Sequence, residues 1–353
     1  MTMKAVVVHG AGDIRYEDLP LPCPGPGEAL IEMKAAGICS SDLPRALGDA
    51  AYFYPIVLGH EVAGQVAELG KEVKGARVGD RCAIAPLFPC WRCEWCQRGK
   101  YSLCEDYSYL GSRTHGAYAE YITAPVENLV LLPPQVDYEA GAMLEPTAVI
   151  LHGLGRVGVT PGDDVAVVGA GPLGLLAIQL ARIMGAGRLF AIDLVAAKVE
   201  VAESLGAQAC LGEGAAATIY EATLGRGVDL VVETAGTAKA QESCLDLARK
   251  GGRVLYLGLP EREVNISRTA MQRLVREELT IYGAWNSYSA PFPGYEWHAS
   301  LTYMARGQLQ TKPLITHRFT LQQAKEAFIM MEEEKEFFNK VIFIEGGEDE
   351  VHG

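Results

Sequence analysis

The chain lacks an uninterrupted apolar run of membrane-spanning length. Its longest charge-free apolar stretch, 165–181, is broken by Gly169, Gly171, Pro172 and Gly174, and it falls short of the roughly 20 residues a spanning helix needs. No basic, then apolar, then small-residue leader follows Met1, so a cytoplasmic location is expected. Positive charge is also scarce, with 31 Lys and Arg against 44 Asp and Glu and a net charge of −13. A surface of that sign repels phosphate backbones and anionic headgroups, which argues against nucleic-acid and membrane partners. Repeats and low-complexity segments are absent. Cysteine is plentiful at nine, but the number is odd and no secretion signal accompanies it, which excludes a disulfide framework. Cys23, Cys82, Cys210 and Cys244 read as structural thiols; the other five fall in metal-ligand patterns.

What is present is the composition of a folded protein, 49% hydrophobic and 21% charged, over 353 residues, a length that suits two domains. Residues 1–150 are rich in Gly and Pro and read as short strands, at 5–8, 29–34, 62–69, 81–85 and 120–123, broken by turns such as Cys23-Pro24-Gly25-Pro26-Gly27. This pattern suits a barrel-like β domain. From Pro161 strand and helix alternate, with strands expected at 165–168, 189–192, 209–211, 228–232, 254–257 and 279–282. Leu173, Leu176, Ala177, Leu180 and Met184 recur at helical spacing. Six strands with crossover helices make a doubly wound parallel sheet. After Asn286 the chain turns irregular. A helix is expected from Thr320, with Gln323 completing a capping box, then a strand at 340–344 and a disordered polar tail at 346–353. The expected domains are 1–150, 151–287 and a return segment, 288–353, that packs on the first domain and leaves a cleft between the two.

Two motifs carry chemistry. In Cys90-x2-Cys93-x2-Cys96-x7-Cys104, four thiolates can close a tetrahedron around one zinc, and a closed four-sulfur site holds shape without chemistry. The alternative is a zinc-ribbon interaction module. Trp91, Arg92 and Trp95 read as packing and solvent surfaces of that loop. Gly169-Ala170-Gly171-Pro172-Leu173-Gly174 has the dinucleotide-turn spacing between an expected strand and helix. Gly169 permits the turn, Gly171 admits the pyrophosphate, Gly174 lets helix and strand pack, and the helix N-terminus faces the phosphates. Asp193, at the end of the next strand, suits the ribose hydroxyls and repels a 2′-phosphate, so NAD is expected over NADP; a turn or N-cap role is the alternative.

Three further stretches are ordinary one by one: Gly37-Ile38-Cys39-Ser40-Ser41-Asp42, Gly59-His60-Glu61 and Leu144-Glu145-Pro146. Beside the two motifs they give a chain that resembles the zinc-dependent medium-chain dehydrogenase/reductase superfamily over nearly its full length, and its polyol dehydrogenase branch in particular. Cys39-Ser40-Ser41-Asp42-Leu43-Pro44-Arg45, Tyr54-Pro55-Ile56-Val57-Leu58-Gly59-His60-Glu61, Leu110-Gly111-Ser112-Arg113 and Trp285-Asn286-Ser287-Tyr288 through Gly294-Tyr295-Glu296-Trp297 are similar to the galactitol-1-phosphate 5-dehydrogenases within it.

The resemblance implies a GroES-like β-barrel catalytic domain plus a Rossmann domain, two zinc ions per subunit, and a homodimer or homotetramer formed through the cofactor domain. It implies Cys39 and His60 as ligands of a catalytic zinc. Glu145 matches the third-ligand position of the polyol branch, with Glu61 nearby as its competitor. It also implies Ser41 as a proton-relay hydroxyl, for which an N-cap role ahead of Leu43 is the alternative. Asp42 would hold the other nitrogen of His60. The reaction implied is oxidation of a secondary alcohol of a polyol phosphate, galactitol 1-phosphate to tagatose 6-phosphate, with hydride transfer to NAD. Arg45, Arg113 and His115 are candidate phosphate contacts; Tyr52 and Trp285 are candidate pocket walls. Sorbitol, L-iditol or another secondary alcohol is the alternative substrate. An NADH-binding structural protein and a DNA-binding zinc protein are the readings from other classes.

Overall fold

The computed structural model describes residues 1–260 and 262–345, without the side chain of Glu213. The tail at 346–353, expected to be disordered, lies outside the described residues. The chain forms two units. The first comprises Met1–Pro146, Tyr288–Gly307 and the chain from Thr311; the second is Thr147–Ser287 with Gln308–Gln310.

In the first unit the central strand is Glu28–Gly37, whose Ala, Leu, Ile and Met side chains are nearly all buried. It pairs antiparallel with Glu61–Leu69, Tyr121–Pro125 and Lys340–Ile344. The return strand Lys340–Ile344 thus joins the N-terminal sheet, with Ile342 opposite Gly37. Arg81–Ile84, Leu129–Leu131 and Ile315–Phe319 extend this seven-stranded sheet, and Thr2–Gly10 joins Asp13–Pro20 and Ile56–Val57 in another. One core holds Val6, Ile31, Met33, Leu58, Tyr118, Phe328 and Phe343, with Tyr118 edge-on to Phe343 at 4.9 Å. Truncating an aromatic at such a site costs about 3–5 kcal/mol.

The second unit is a six-stranded parallel sheet in the order Gln208–Leu211, Leu189–Asp193, Val165–Val168, Val228–Glu233, Ala248–Tyr256, Thr280–Gly283. Val165–Val168 and Val228–Glu233 are buried throughout, as central parallel strands are. The strand order reverses between these two, and in such sheets ligands sit beyond the carboxyl ends at that point. Below their amino ends Asp164 and Asp229 gather Arg188, Arg226 and Arg249.

Three elements differ from the sequence reading. The strand expected at 254–257 begins at Ala248, with an irregularity in its pairing with Val228–Glu233 between the Val228–Ala248 and Leu230–Arg253 pairs. The region after Asn286 is not irregular throughout, for Tyr295–Ala305 is a helix. Its buried Trp297, Ser300, Leu301 and Met304 repeat at helical spacing. The capping box of Thr320 and Gln323 forms, but it opens a single tight turn, Leu321–Gln323, before the helix Ala324–Glu333. No helix among the described residues is long and apolar enough to cross a membrane.

Candidate functional site

The four-cysteine loop folds as a lobe of the first unit. Its four Sγ atoms lie within 4.8 Å of one another, which suits one tetrahedral zinc. Backbone N–H groups of Arg92 and Cys93 push the Cys90 thiol down, and those of Cys96 and Glu105 push Cys93 down to about 6. Burial pushes Cys96 and Cys104 up. A cation at the centre offsets the cost of burying sulfur charge there. Trp91 closes the lobe edge-on to Tyr101 and Phe292 at 5.2 and 5.1 Å.

A second donor set lies in the same unit. Cys39 comes just after the central strand, and His60 just before its neighbour, which Glu61 opens, so sheet pairing brings them together: Gly37 lies opposite Glu61. Their donor atoms fall within 4.8 Å of one another, with His60 and Glu61 buried. A thiolate, an imidazole and a carboxylate form a donor set that fits a divalent zinc ion. His60 Nδ1 is buried without a hydrogen-bond partner and faces Asp42 Oδ1 at 3.7 Å, which leaves Nε2 for a ligand bond. Burial pulls the His60 imidazole down, but Asp42, Cys39 and Glu145 outweigh it and push it up to about 10.

Glu145 sits in the first turn of the helix Leu144–Val157. It is not in the 4.8 Å group, yet His60 and Glu61 both act on its charge. Burial pushes its carboxyl up to about 7, with Glu61 adding to the rise and His60 opposing it. Tyr109 donates to Glu145 Oε1 at 3.1 Å and packs edge-on to the His60 ring at 5.6 Å.

Ser41 lies inside a short turn whose cap is Cys39, and the cap ahead of Leu43 is Asp42, so Ser41 is not an N-cap. Its hydroxyl donates to Cys39 Sγ at 3.3 Å and accepts from Arg45 at 3.1 Å. Asp42 Oδ2 accepts from Tyr118 at 2.7 Å. Lys340 forms a buried ion pair with Glu61 and donates to the Ile38 carbonyl at 2.9 Å. Tyr109, Tyr118 and Lys340 escaped the sequence reading because each is an ordinary core-strand or loop residue there. Only the wording Leu110-Gly111-Ser112-Arg113 pointed near Tyr109.

In the second unit Gly169 takes φ +97°, and its N–H is accepted by the Ile192 carbonyl at 2.8 Å. A Cβ on Gly174 would strike the Gly169 carbonyl, whereas one on Gly171 would meet nothing within 4 Å. Gly171 caps the helix Pro172–Ile183, with Pro172 and Leu173 in its first turn. Its free N–H groups suit a pyrophosphate. Asp193 accepts from the N–H groups of Ala170 at 2.8 Å and Val195 at 3.0 Å. Trp285 belongs to this unit and Tyr52 to the first.

Comparison with known proteins agrees with both halves. Residues 25–134 match the alcohol dehydrogenase GroES-like domain and residues 172–301 the zinc-binding dehydrogenase family. The galactitol 1-phosphate 5-dehydrogenase of Escherichia coli (strain K12) is 33% identical over 92% of this chain and 95% of its own. The sorbitol dehydrogenase of Bacillus subtilis (strain 168) is 35% identical over 96% of each. The crystal structure of galactitol-1-phosphate dehydrogenase from Escherichia coli superposes with a TM-score of 0.92 at 32% identity, covering 97% of this chain and all of that one.

Proposed function

The chain belongs to the zinc-dependent medium-chain alcohol dehydrogenases, and from that premise we propose that it oxidises a secondary hydroxyl of a polyol phosphate to a ketone, galactitol 1-phosphate to tagatose 6-phosphate, with NAD as hydride acceptor. The observation that carries the chemistry is the group of Cys39 with the buried His60 and Glu61, and Glu145 beside it. The zinc, when bound, supplies Lewis acidity that makes the substrate hydroxyl a stronger acid.

Cys39 and His60 hold the metal, and Glu145 is the proposed third ligand. Lys340 forms an ion pair with Glu61, whereas Glu145 is buried with no ion-pair partner among the described residues, and Lys340 acts on it less than His60 does. Glu61 is the alternative ligand. Asp42 keeps the His60 ring turned, since it faces Nδ1 and is itself fixed by Tyr118. Ser41 relays the hydroxyl proton: its oxygen has a lone pair beyond the Arg45 bond to take it, while its own proton, which points to Cys39 Sγ here, passes on to solvent. Asp193 has lone pairs beyond its two backbone bonds for the ribose hydroxyls, and its charge opposes a 2′-phosphate.

The likeness to sorbitol dehydrogenase favours a second reading, a free polyol such as sorbitol or L-iditol. Reduced-nicotinamide absorbance with galactitol 1-phosphate, sorbitol and threonine separates the two. Preference for the phosphorylated substrate, abolished by a chelator, supports the first reading; turnover of sorbitol alone supports the second. No chelator-sensitive turnover of any alcohol leaves a nucleotide-binding protein without catalysis. We also propose a cytoplasmic homodimer or homotetramer. Unbridged thiols suit a reducing compartment, and the edge strand Thr280–Gly283 leaves Thr280, Ile281 and Gly283 exposed for pairing. Light scattering tests the association.

A further inference from the structure

A polyol phosphate brings a dianion into a chain of net charge −13, so something must hold it. Three groups near the metal set were candidates, and their surroundings separate them. Arg45 is engaged: it donates to the Ser41 carbonyl and hydroxyl at 3.0 and 3.1 Å and lies 3.5 Å from Asp42. His115 uses Nδ1 to accept the Val57 N–H at 3.2 Å. Arg113 has no carboxylate partner among the described residues. Its guanidinium lies over the rings of Tyr107 at 4.3 Å and Tyr52 at 5.0 Å, and its side-chain hydrogen bond to the Tyr107 hydroxyl is long at 3.5 Å.

The loop that carries Arg113 is tied to the metal set. The N–H groups of Ser112 and Arg113 both donate to the Tyr109 carbonyl, and Tyr109 is the residue against His60 and Glu145. Gly111 and Gly116 lie so close to Gly59 that a Cβ on either would strike its carbonyl. The loop therefore rests on the backbone that delivers His60. Two tyrosine rings lie against the guanidinium, and Arg113 is exposed to solvent. A planar fork held this way matches the oxygens of a phosphate in two parallel bonds, with little ordering left to do on binding.

We propose that Arg113, held against Tyr52 and Tyr107, is the phosphate-recognition residue that sets the preference for a phosphorylated polyol. The proposal rests on the polyol-phosphate reading above. It is tested with the zinc-loaded wild type, Arg113→Gln and Arg113→Lys, each assayed on galactitol 1-phosphate and on free galactitol. The quantity read is the ratio of the two kcat/KM values. Losing a charge-assisted pair lowers that ratio about 30-fold in Arg113→Gln, mostly through KM. Lysine keeps the charge without the fork and loses less. Inorganic phosphate, which competes with the phosphorylated substrate in the wild type, ceases to do so in Arg113→Gln.

If the wild type prefers the phosphorylated substrate and Arg113→Gln keeps the full ratio, the proposal falls and the polyol-phosphate reading stands. If Arg113→Gln loses both substrates equally, the loop serves structure alone and the proposal falls. A wild type with no preference for the phosphate removes both.

Discussion

Lys340 sets its ammonium against the carboxylate of Glu61, with both side chains almost wholly buried, and donates a second bond to the Ile38 carbonyl at 2.9 Å. The return strand thereby contributes a cation to the rear of the metal set. Removing one partner of a buried pair strands the other charge, at a cost of about 3–5 kcal/mol. Lys340→Met is expected to lose that much stability in urea unfolding, and the double variant with Glu61→Gln to regain a large part of it. A single variant as stable as the wild type would show that the pair contributes nothing.

The two donor sets are expected to come apart under mutation. Cys93→Ser removes one ligand of the closed four-sulfur site, and a structural zinc contributes folding free energy on the order of 10 kcal/mol. Metal analysis after dialysis is expected to fall from two zinc ions per chain to one, with a clear drop in Tm. His60→Ala is expected to lose the other zinc and all turnover while the lobe keeps its metal. Loss of both ions from either variant would contradict independent sites.

Much of this was legible in the sequence, for physical reasons that also mark where it was not. The thiols of Cys90, Cys93, Cys96 and Cys104 are close in sequence and in space, so spacing sufficed. Valine-rich Val165–Val168 and Val228–Glu233 read as strands because parallel strands are buried on both faces. Cys39 and His60 became a site only through their company. What surrounds them is set by distant pairing: Lys340 reaches Ile38 across 302 positions, and Tyr118 reaches Asp42 across 76. No local pattern encodes such contacts. The helix Tyr295–Ala305 was hidden differently, behind the Pro- and Gly-rich turn before it, although its buried residues keep helical spacing.

The dinucleotide turn separates packing from binding. A Cβ on Gly174 would strike the Gly169 carbonyl, so Gly174→Ala is expected to destabilise the second unit. A Cβ on Gly171 meets open space, so Gly171→Ala is expected to shift Tm little. Gly171 is nevertheless the position where a pyrophosphate must come close to backbone. Its alanine variant is expected to weaken NADH binding at least about tenfold, the effect of some 1.4 kcal/mol, read by fluorescence titration. Full NADH affinity in Gly171→Ala would place the phosphates elsewhere.

Acid is expected to loosen the second unit through Asp229. Burial pushes this carboxyl up, but Arg249 at 2.5 Å, the Asp164 N–H at 2.9 Å and Arg226 at 2.8 Å outweigh it and hold it down to about 2. A carboxyl lower in the folded than in the unfolded chain stabilises fully above its ordinary value of 3.8. That contribution is lost as pH falls toward the folded value, as protons bind the unfolded chain first. The difference corresponds to about 2 kcal/mol, present at pH 7 and gone near pH 2. Thiolates and other carboxylates titrate as well, so wild type must be compared with Asp229→Asn at each pH. The stability gap between them is expected to hold constant down to about pH 4 and then close. A gap that persists undiminished to pH 2 would mean that the arginines do not hold Asp229 ionised.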